Sequence, residues 1–204
     1  MEDVLDVYAE PYDSTRPQIC FDERPVQLLG ETYAPIPMKK GHVHRYDYQY
    51  EREGTANLFM MVQPLSGWRM VKTTKRRTKL DFAACMKDLV DVHFPEAEVI
   101  RVVLDNLNTH NPSSLYEAFA PQEARRILRK LDFHYTPKHG SWLNMAEIEI
   151  SVLSRQCLQQ RLPSIPELEC NVTAWTKCRN EQAVKINWCF NLGNARTKLA
   201  RLYP

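Results

Sequence analysis

From residue 99 the chain reads VIRVVLD, a run so continuous in β-branched and apolar residues that it predicts a central strand covered on both faces. Upstream, NLFMMVQ (57 to 63) and WRMVKTT (68 to 74) flank PLSG, whose proline and glycine suit the turn of an antiparallel hairpin. Thr78 with Asp81 three residues on resembles a capping box. Phe82, Met86, Leu89, Val90 and His93 then recur at helical spacing until Pro95, predicting a helix of about four turns. Pro121 opens a second helix with Ala124, Ile127, Leu128 and Leu131 on one face and basic residues on the other. DFHYT (132 to 136) reads as a strand. Leu143, Ala146, Ile150, Leu153 and Cys157, spaced three, four, three and four, predict a long amphipathic helix. At the other end of the chain, QICFDE (18 to 23) is a short strand stopped by Pro25, and the stretch to about residue 54 reads as loop.

The order is a strand, a ββ hairpin, then α, β, α, β, α. It implies an α/β fold with a mixed sheet between helices in one domain, residues 17 to 204, preceded by an N-terminal linker segment, residues 1 to 16. At 204 residues and 44% hydrophobic, the chain can bury a sizeable core. No run of 18 apolar residues exists and the start MEDVLDVYAE is acidic, so neither a membrane span nor a secretory signal is expected and the protein is read as cytoplasmic. The six cysteines form no C-x-x-C pair and fit reduced thiols rather than a zinc site.

Charge changes the picture more than composition does. The net charge is +2, but residues 1 to 36 carry eight acids and two bases, so the rest of the chain is basic. KTTKRRTK (72 to 79) concentrates Lys72, Lys75, Arg76, Arg77 and Lys79, and EARRILRK (123 to 130) concentrates Arg125, Arg126, Arg129 and Lys130. Such clusters can neutralise phosphates, so these nine residues are candidate DNA contacts.

Open α/β sheets collect ligands at the carboxyl ends of their strands, and Asp22 and Asp105 both sit at such ends. One aspartate there is commonly a turn residue or an N-cap. Two in neighbouring strands repel each other unless a cation lies between them, which favours a hard divalent metal such as Mg²⁺.

FDE (21 to 23), VLDNLNTH (103 to 110), TPKHGSWLNMAEIEI (136 to 150) and the closing W-x-F and NARTKLARLYP together resemble the catalytic domain of insertion-sequence transposases of the IS630 type, bacterial relatives of the Tc1/mariner group. The resemblance covers nearly the whole chain. It implies a ribonuclease-H-like fold and a DDE triad of Asp22, Asp105 and Glu147 that binds metal. It also implies DNA strand cleavage followed by strand transfer with the freed 3′-OH. The cofactor would be Mg²⁺, with Mn²⁺ as substitute, as two ions about 4 Å apart. Transposon ends and target DNA would be the partners. Alternatives are a nuclease of the same fold without strand transfer, or a non-catalytic copy that pairs with a full-length transposase.

Helical periodicity does not choose between Glu147 and Glu149, which point about 200° apart. The LN-x-x-E motif chooses Glu147 and brings Asn144 one turn before it. Asn106, His110 and Asn144 are taken as auxiliary residues, with His110 and His139 able to position water or contact phosphate. Glu23 alternates to the face opposite Asp22 and is read as structural or a loop anchor. The spacing from Asp105 to Glu147 is 42 residues. The helix-turn-helix modules that the family carries upstream are expected from a separate chain or reading frame, with a homodimer as the other pairing.

Overall fold

The structure is a computed structural model that describes residues 1 to 202. Five strands form one sheet in the order β3-β2-β1-β4-β5: β1 Gln18–Glu31, β2 Tyr50–Gln63, β3 Trp68–Thr74, β4 Ile100–Leu104 and β5 Leu131–Tyr135. The first three strands are antiparallel, and β4 and β5 run parallel to β1, so the sheet is mixed as expected. All five residues of β4 are buried, which is what its continuous apolar run requires.

Alternation along β1 divides the core into two halves. Cys20 faces one side with Leu58, Met60, Val62 and Val103, covered by helices α1 Glu2–Ala9, α5 Ala146–Gln156, α6 Ile165–Glu181 and α7 Leu192–Lys198. Ile19 and Phe21 face the other with Phe59, Met61 and Val102, covered by α2 Lys79–Asp88, α3 Ser113–Ala118 and α4 Pro121–Leu128. Asp22 therefore belongs to the α5 side and Glu23 to the α2 side.

Several elements differ from the sequence expectation. β1 does not stop at Pro25; it continues to Glu31, with Pro25 opposite Asn57 of β2. β1 pairs with β4 only over residues 18 to 20, so beyond that point it is an edge strand, the setting that tolerates a proline. Residues 1 to 16 carry α1, whose Val4, Leu5 and Val7 are buried in the core. The helix after Thr78 has the expected capping box, with Asp81 N–H on the threonine hydroxyl and the Asp81 carboxylate on Thr78 N–H, and ends in a π-turn over Leu89–His93. The helix expected from Leu143 starts instead at Ala146, behind a short 3₁₀ turn at Ser141–Leu143. All six cysteines are free thiols. No helix among the described residues is long and apolar enough to cross a membrane.

Candidate active site

The three candidate acids come from separate chain segments. Asp22 is in β1 on the α5 side, Asp105 directly follows the last residue of β4, and Glu147 lies in the first turn of α5. Asn144 ties the last of these to the first. Its Nδ2 donates to the Phe21 carbonyl at 2.8 Å, while its Oδ1 accepts the Ala146 N–H at 3.1 Å. It is buried and lies just ahead of the helix, its carbonyl accepts the Glu147 N–H at 3.1 Å, and it holds the start of α5 against β1 beside Asp22.

The two glutamates of α5 have opposite surroundings. Glu149 is buried, with Arg69 Nε at 3.0 Å and Arg179 donating to both of its oxygens at 2.9 and 3.0 Å. Arg69 is wholly buried in β3 and Arg179 comes from α6. Glu147 is exposed and lines a groove of about 430 Å³ together with Asp22, Arg24, Ser151, Ser154 and Arg155. The ion cluster around Glu149 fixes the rotation of α5 that turns Glu147 into this groove.

Burial, followed by the charges of Glu23, Asp105 and Glu147, raises the Asp22 carboxyl to about 7, although the Glu23 N–H donates to its Oδ1 at 2.8 Å. The Asp105 and Glu147 charges are thus both felt at Asp22, and among the described residues none of Asp22's partners is a cation. Oxygen donors gathered with their charge uncompensated suit a hard divalent cation.

Asp105 also contacts His110. Nδ1 of the ring is 2.6 Å from Asp105 Oδ1, and Nε2 is 2.9 Å from Glu23 Oε2, with neither contact aligned as a linear hydrogen bond. Burial lowers the basicity of His110, but the two carboxylates outweigh it and push the imidazole to about 9. One ligand atom from each of Glu23, Asp105 and His110 lies within 4.8 Å of the others. Sequence reading passed over Glu23. Alternation placed it on the far face correctly, but nothing in the sequence showed that His110 would meet it there.

Asn106 is exposed and lines a second groove, of about 410 Å³, with Asp105, Lys138 and His139. His139 adopts a left-handed φ of 62°, unusual for a residue other than glycine.

The candidate DNA contacts divide into two kinds. Lys72 pairs with Asp88, Lys79 with Glu117, and Arg126 with Asp91 and Glu123. Lys130 donates to the Pro95 carbonyl, and Arg77 lies 3.4 Å from Glu23. Lys75, Arg76, Arg125 and Arg129 are exposed and form no ion pair among the described residues.

The fold has counterparts among solved structures. The Mos1 mariner paired-end complex with Mn aligns with a TM-score of 0.57 at 13% identity, covering 89% of this chain and 55% of that one. The Mos1 strand transfer complex aligns with a TM-score of 0.56 at 12% identity, covering 89% and 53%. The chain thus spans little more than half the length of these proteins, and the likeness identifies the ribonuclease-H-like fold. No curated protein sequence matches the chain. A family model described as DDE superfamily endonuclease matches residues 17 to 169, a span that contains all three acids of the candidate triad and three quarters of the sequence, and the chain belongs to that family.

Proposed function

We propose that this chain is the catalytic domain of a DDE transposase of the IS630 type, which cleaves DNA and transfers the freed strand with the help of two Mg²⁺ or Mn²⁺ ions. What supports this reading is that Asp22 and Glu147 line one groove and that the charges of Asp105 and Glu147 both act on Asp22, which among the described residues has no cation as a partner. Membership of the DDE endonuclease family and the mariner-like fold support it.

Asp22, Asp105 and Glu147 would hold the ions through carboxylate oxygens. Bound there, divalent ions would activate a water on one side of the scissile phosphodiester and stabilise the leaving 3′ oxygen on the other. The chain's own residues do the rest. Asn144 would keep the start of α5 against β1 beside Asp22, and His110 packs against Asp105 with its Nδ1 also 3.3 Å from the Asp105 main-chain carbonyl. Asn106, Lys138 and His139 line the groove next to Asp105, where a DNA strand would pass. Of the basic residues, Lys75, Arg76, Arg125 and Arg129 are the most available to phosphates, because the others already face acids or carbonyls. The protein would act in the cytoplasm. It would work as a homodimer or with a helix-turn-helix chain that reads the transposon ends, since a ribonuclease-H-like core positions the backbone at its metals rather than reading base edges.

The test uses supercoiled plasmid and a short duplex with a free 3′-OH. With Mn²⁺ the protein nicks the plasmid weakly and joins the 3′-OH to it, and Asp105→Asn abolishes both. Nicking that survives in Asp105→Asn would remove the triad, and nicking without joining would reduce the protein to a nuclease.

A further inference from the structure

Between β1 and β2 the chain leaves the sheet and forms a small hairpin of its own. Ile36 and Arg45 exchange both backbone bonds, at 2.8 and 3.1 Å, and Lys39 and His42 do the same at 3.1 and 2.8 Å around Lys40 and Gly41. Gly41 takes a φ of 81°, which the tight turn needs and a side chain would resist. One residue anchors the root. Arg161, in the segment after α5, pairs with Glu31 at the end of β1 and donates to the Asp47 and Gln49 carbonyls, each at 2.7 Å. Its guanidinium also lies 5.6 Å from the rings of both Tyr46 and Tyr50. The hairpin is thus a finger, fixed at its base and bare at its tip.

Its chemistry is one-sided. Residues 33 to 46 hold Lys39, Lys40 and Arg45, together with His42 and His44, and no acid. All five side chains are exposed, and none has an ion-pair or hydrogen-bond partner among the described residues. Ile36, Met38 and Val43 are exposed beside them. An apolar patch alone would suit another protein, but three uncompensated cations on so short a ribbon repel one another and favour a polyanion. A two-stranded ribbon fits a DNA groove, where cations meet phosphates and apolar side chains meet sugars and base edges. Strand addition by a second copy is disfavoured along the first leg, because Pro35 and Pro37, on either side of Ile36, have no N–H to offer.

The finger also lies in line with the candidate acids. β1 carries Asp22 near its start and the finger beyond its end, and the chain from α5 onward runs beside it. Arg24 donates to Ser154, the Leu29 N–H donates to the Leu162 carbonyl at 3.0 Å, and Glu31 meets Arg161. Arg24 and Arg155 share the groove of Asp22 and Glu147, and a second cavity, of about 230 Å³, is lined at the root by His44, Tyr46 and Arg161. The strand from Asp22 to Glu31 spans roughly 30 Å, close to the ~34 Å of one turn of B-DNA. We propose that residues 36 to 45 are a DNA-gripping finger that holds the duplex about one helical turn from the phosphate at the acids, with Lys39, Lys40 and Arg45 as its phosphate contacts. It is a third basic element, beyond the clusters at 72 to 79 and 123 to 130, and β1 sets its distance from Asp22.

The inference rests on the reading of the chain as an enzyme acting on DNA, and the experiment separates the two because it needs no cleavage. Binding of the full chain to labelled duplexes of about 10 and about 30 base pairs, roughly one and three turns, is followed by fluorescence anisotropy across salt concentrations. The wild type is compared with a variant combining Lys39→Gln, Lys40→Gln and Arg45→Gln, three exposed positions whose loss should leave the melting temperature unchanged. The wild type should bind the long duplex more tightly and with a steeper salt slope, because only the long duplex reaches both the acids and the finger. The variant should bind the short duplex much as the wild type does. On the long duplex it should bind about tenfold or more weakly and lose about three counterions from the slope.

A variant that matches the wild type on the long duplex would overturn the finger and leave the DNA-cleaving reading intact. Equal losses on both duplexes would also overturn it, since the span from Asp22 would then not matter. Failure of the wild type to bind either duplex would overturn both readings. Light scattering on the same samples covers the other occupant: a wild-type dimer that becomes a monomer in the variant, with the salt slope per chain unchanged, would assign the finger to a second copy and overturn the proposal.

Discussion

Glu147 and Glu149 stand two residues apart on one helix, yet one is exposed in the groove it shares with Asp22 and the other is buried between two arginines. The charge of Glu149 is answered by Arg69 and Arg179, so it contributes to structure and is of no use to a ligand. Among the described residues Asp22 has no cation as a partner, and the charges of Asp105 and Glu147 act on it, so its own charge is left for something outside the chain to answer. What separates a structural carboxylate from a candidate metal ligand here is compensation by the protein itself, rather than burial or position along the helix.

Breaking the compensated side has the largest expected effect. Glu149→Ala leaves Arg69 buried without its counter-charge and should cost about 3 to 5 kcal/mol, read as a lower midpoint of urea unfolding. An unchanged midpoint would mean that the cluster does not hold α5 in place.

The uncompensated side should respond in the opposite sense. The Asp22 carboxyl is raised from the ordinary aspartate value to about 7, so between about pH 4 and 7 the folded protein keeps a proton that the unfolded chain has released. That contribution to stability is complete below about pH 4 and is lost as pH rises through about 7. Asp22→Asn should therefore raise the stability of the metal-free protein at pH 8, by on the order of 1 to 3 kcal/mol given its partial exposure, and should flatten the pH dependence between 4 and 7. His110 titrates in a different window. Raised to about 9, it contributes stability that is full below about 6.5 and lost as pH passes 9, and this slope should persist in Asp22→Asn. Melting temperatures of the two proteins across pH, without metal, distinguish the two groups.

How much of this was legible in the sequence depended on how local each signal was. β4 and the capped start of α2 were readable because a continuous apolar run and a Thr78–Asp81 box are defined by neighbouring residues. The full length of β1 was not, because Pro25 stops a strand only where both sides are paired, and pairing is a property of the sheet. α6 was overlooked although its signal was present. Ser164 caps it through the Glu167 N–H, and Leu168, Val172 and Trp175 recur at helical spacing. The choice of Glu147 over Glu149 came from a motif, since the helix itself presents both at the edge of its apolar stripe; the physical reason is Arg69 and Arg179, brought there from distant segments. The Glu23 and His110 contact was out of reach for the same reason.

The smallest effect concerns the basic clusters, where the same rule of compensation applies with the sign reversed. Arg76 forms no ion pair among the described residues, whereas Lys72 is held by Asp88 at 2.6 Å. Arg76→Gln should reduce the salt dependence of DNA binding by about one counterion for the lost phosphate contact, and Lys72→Gln should reduce it less. Fluorescence anisotropy with a labelled duplex across salt concentrations gives both slopes. Equal slopes for the two variants would mean that intramolecular pairing does not decide which cations meet DNA.

The most direct measurement is an anomalous difference map from crystals of the protein soaked in Mn²⁺. Density among the carboxylates of Asp22, Asp105 and Glu147, with none at Glu149, is the result expected. Mn²⁺ bound elsewhere, with that position empty, would contradict the assignment of the three acids as the metal site.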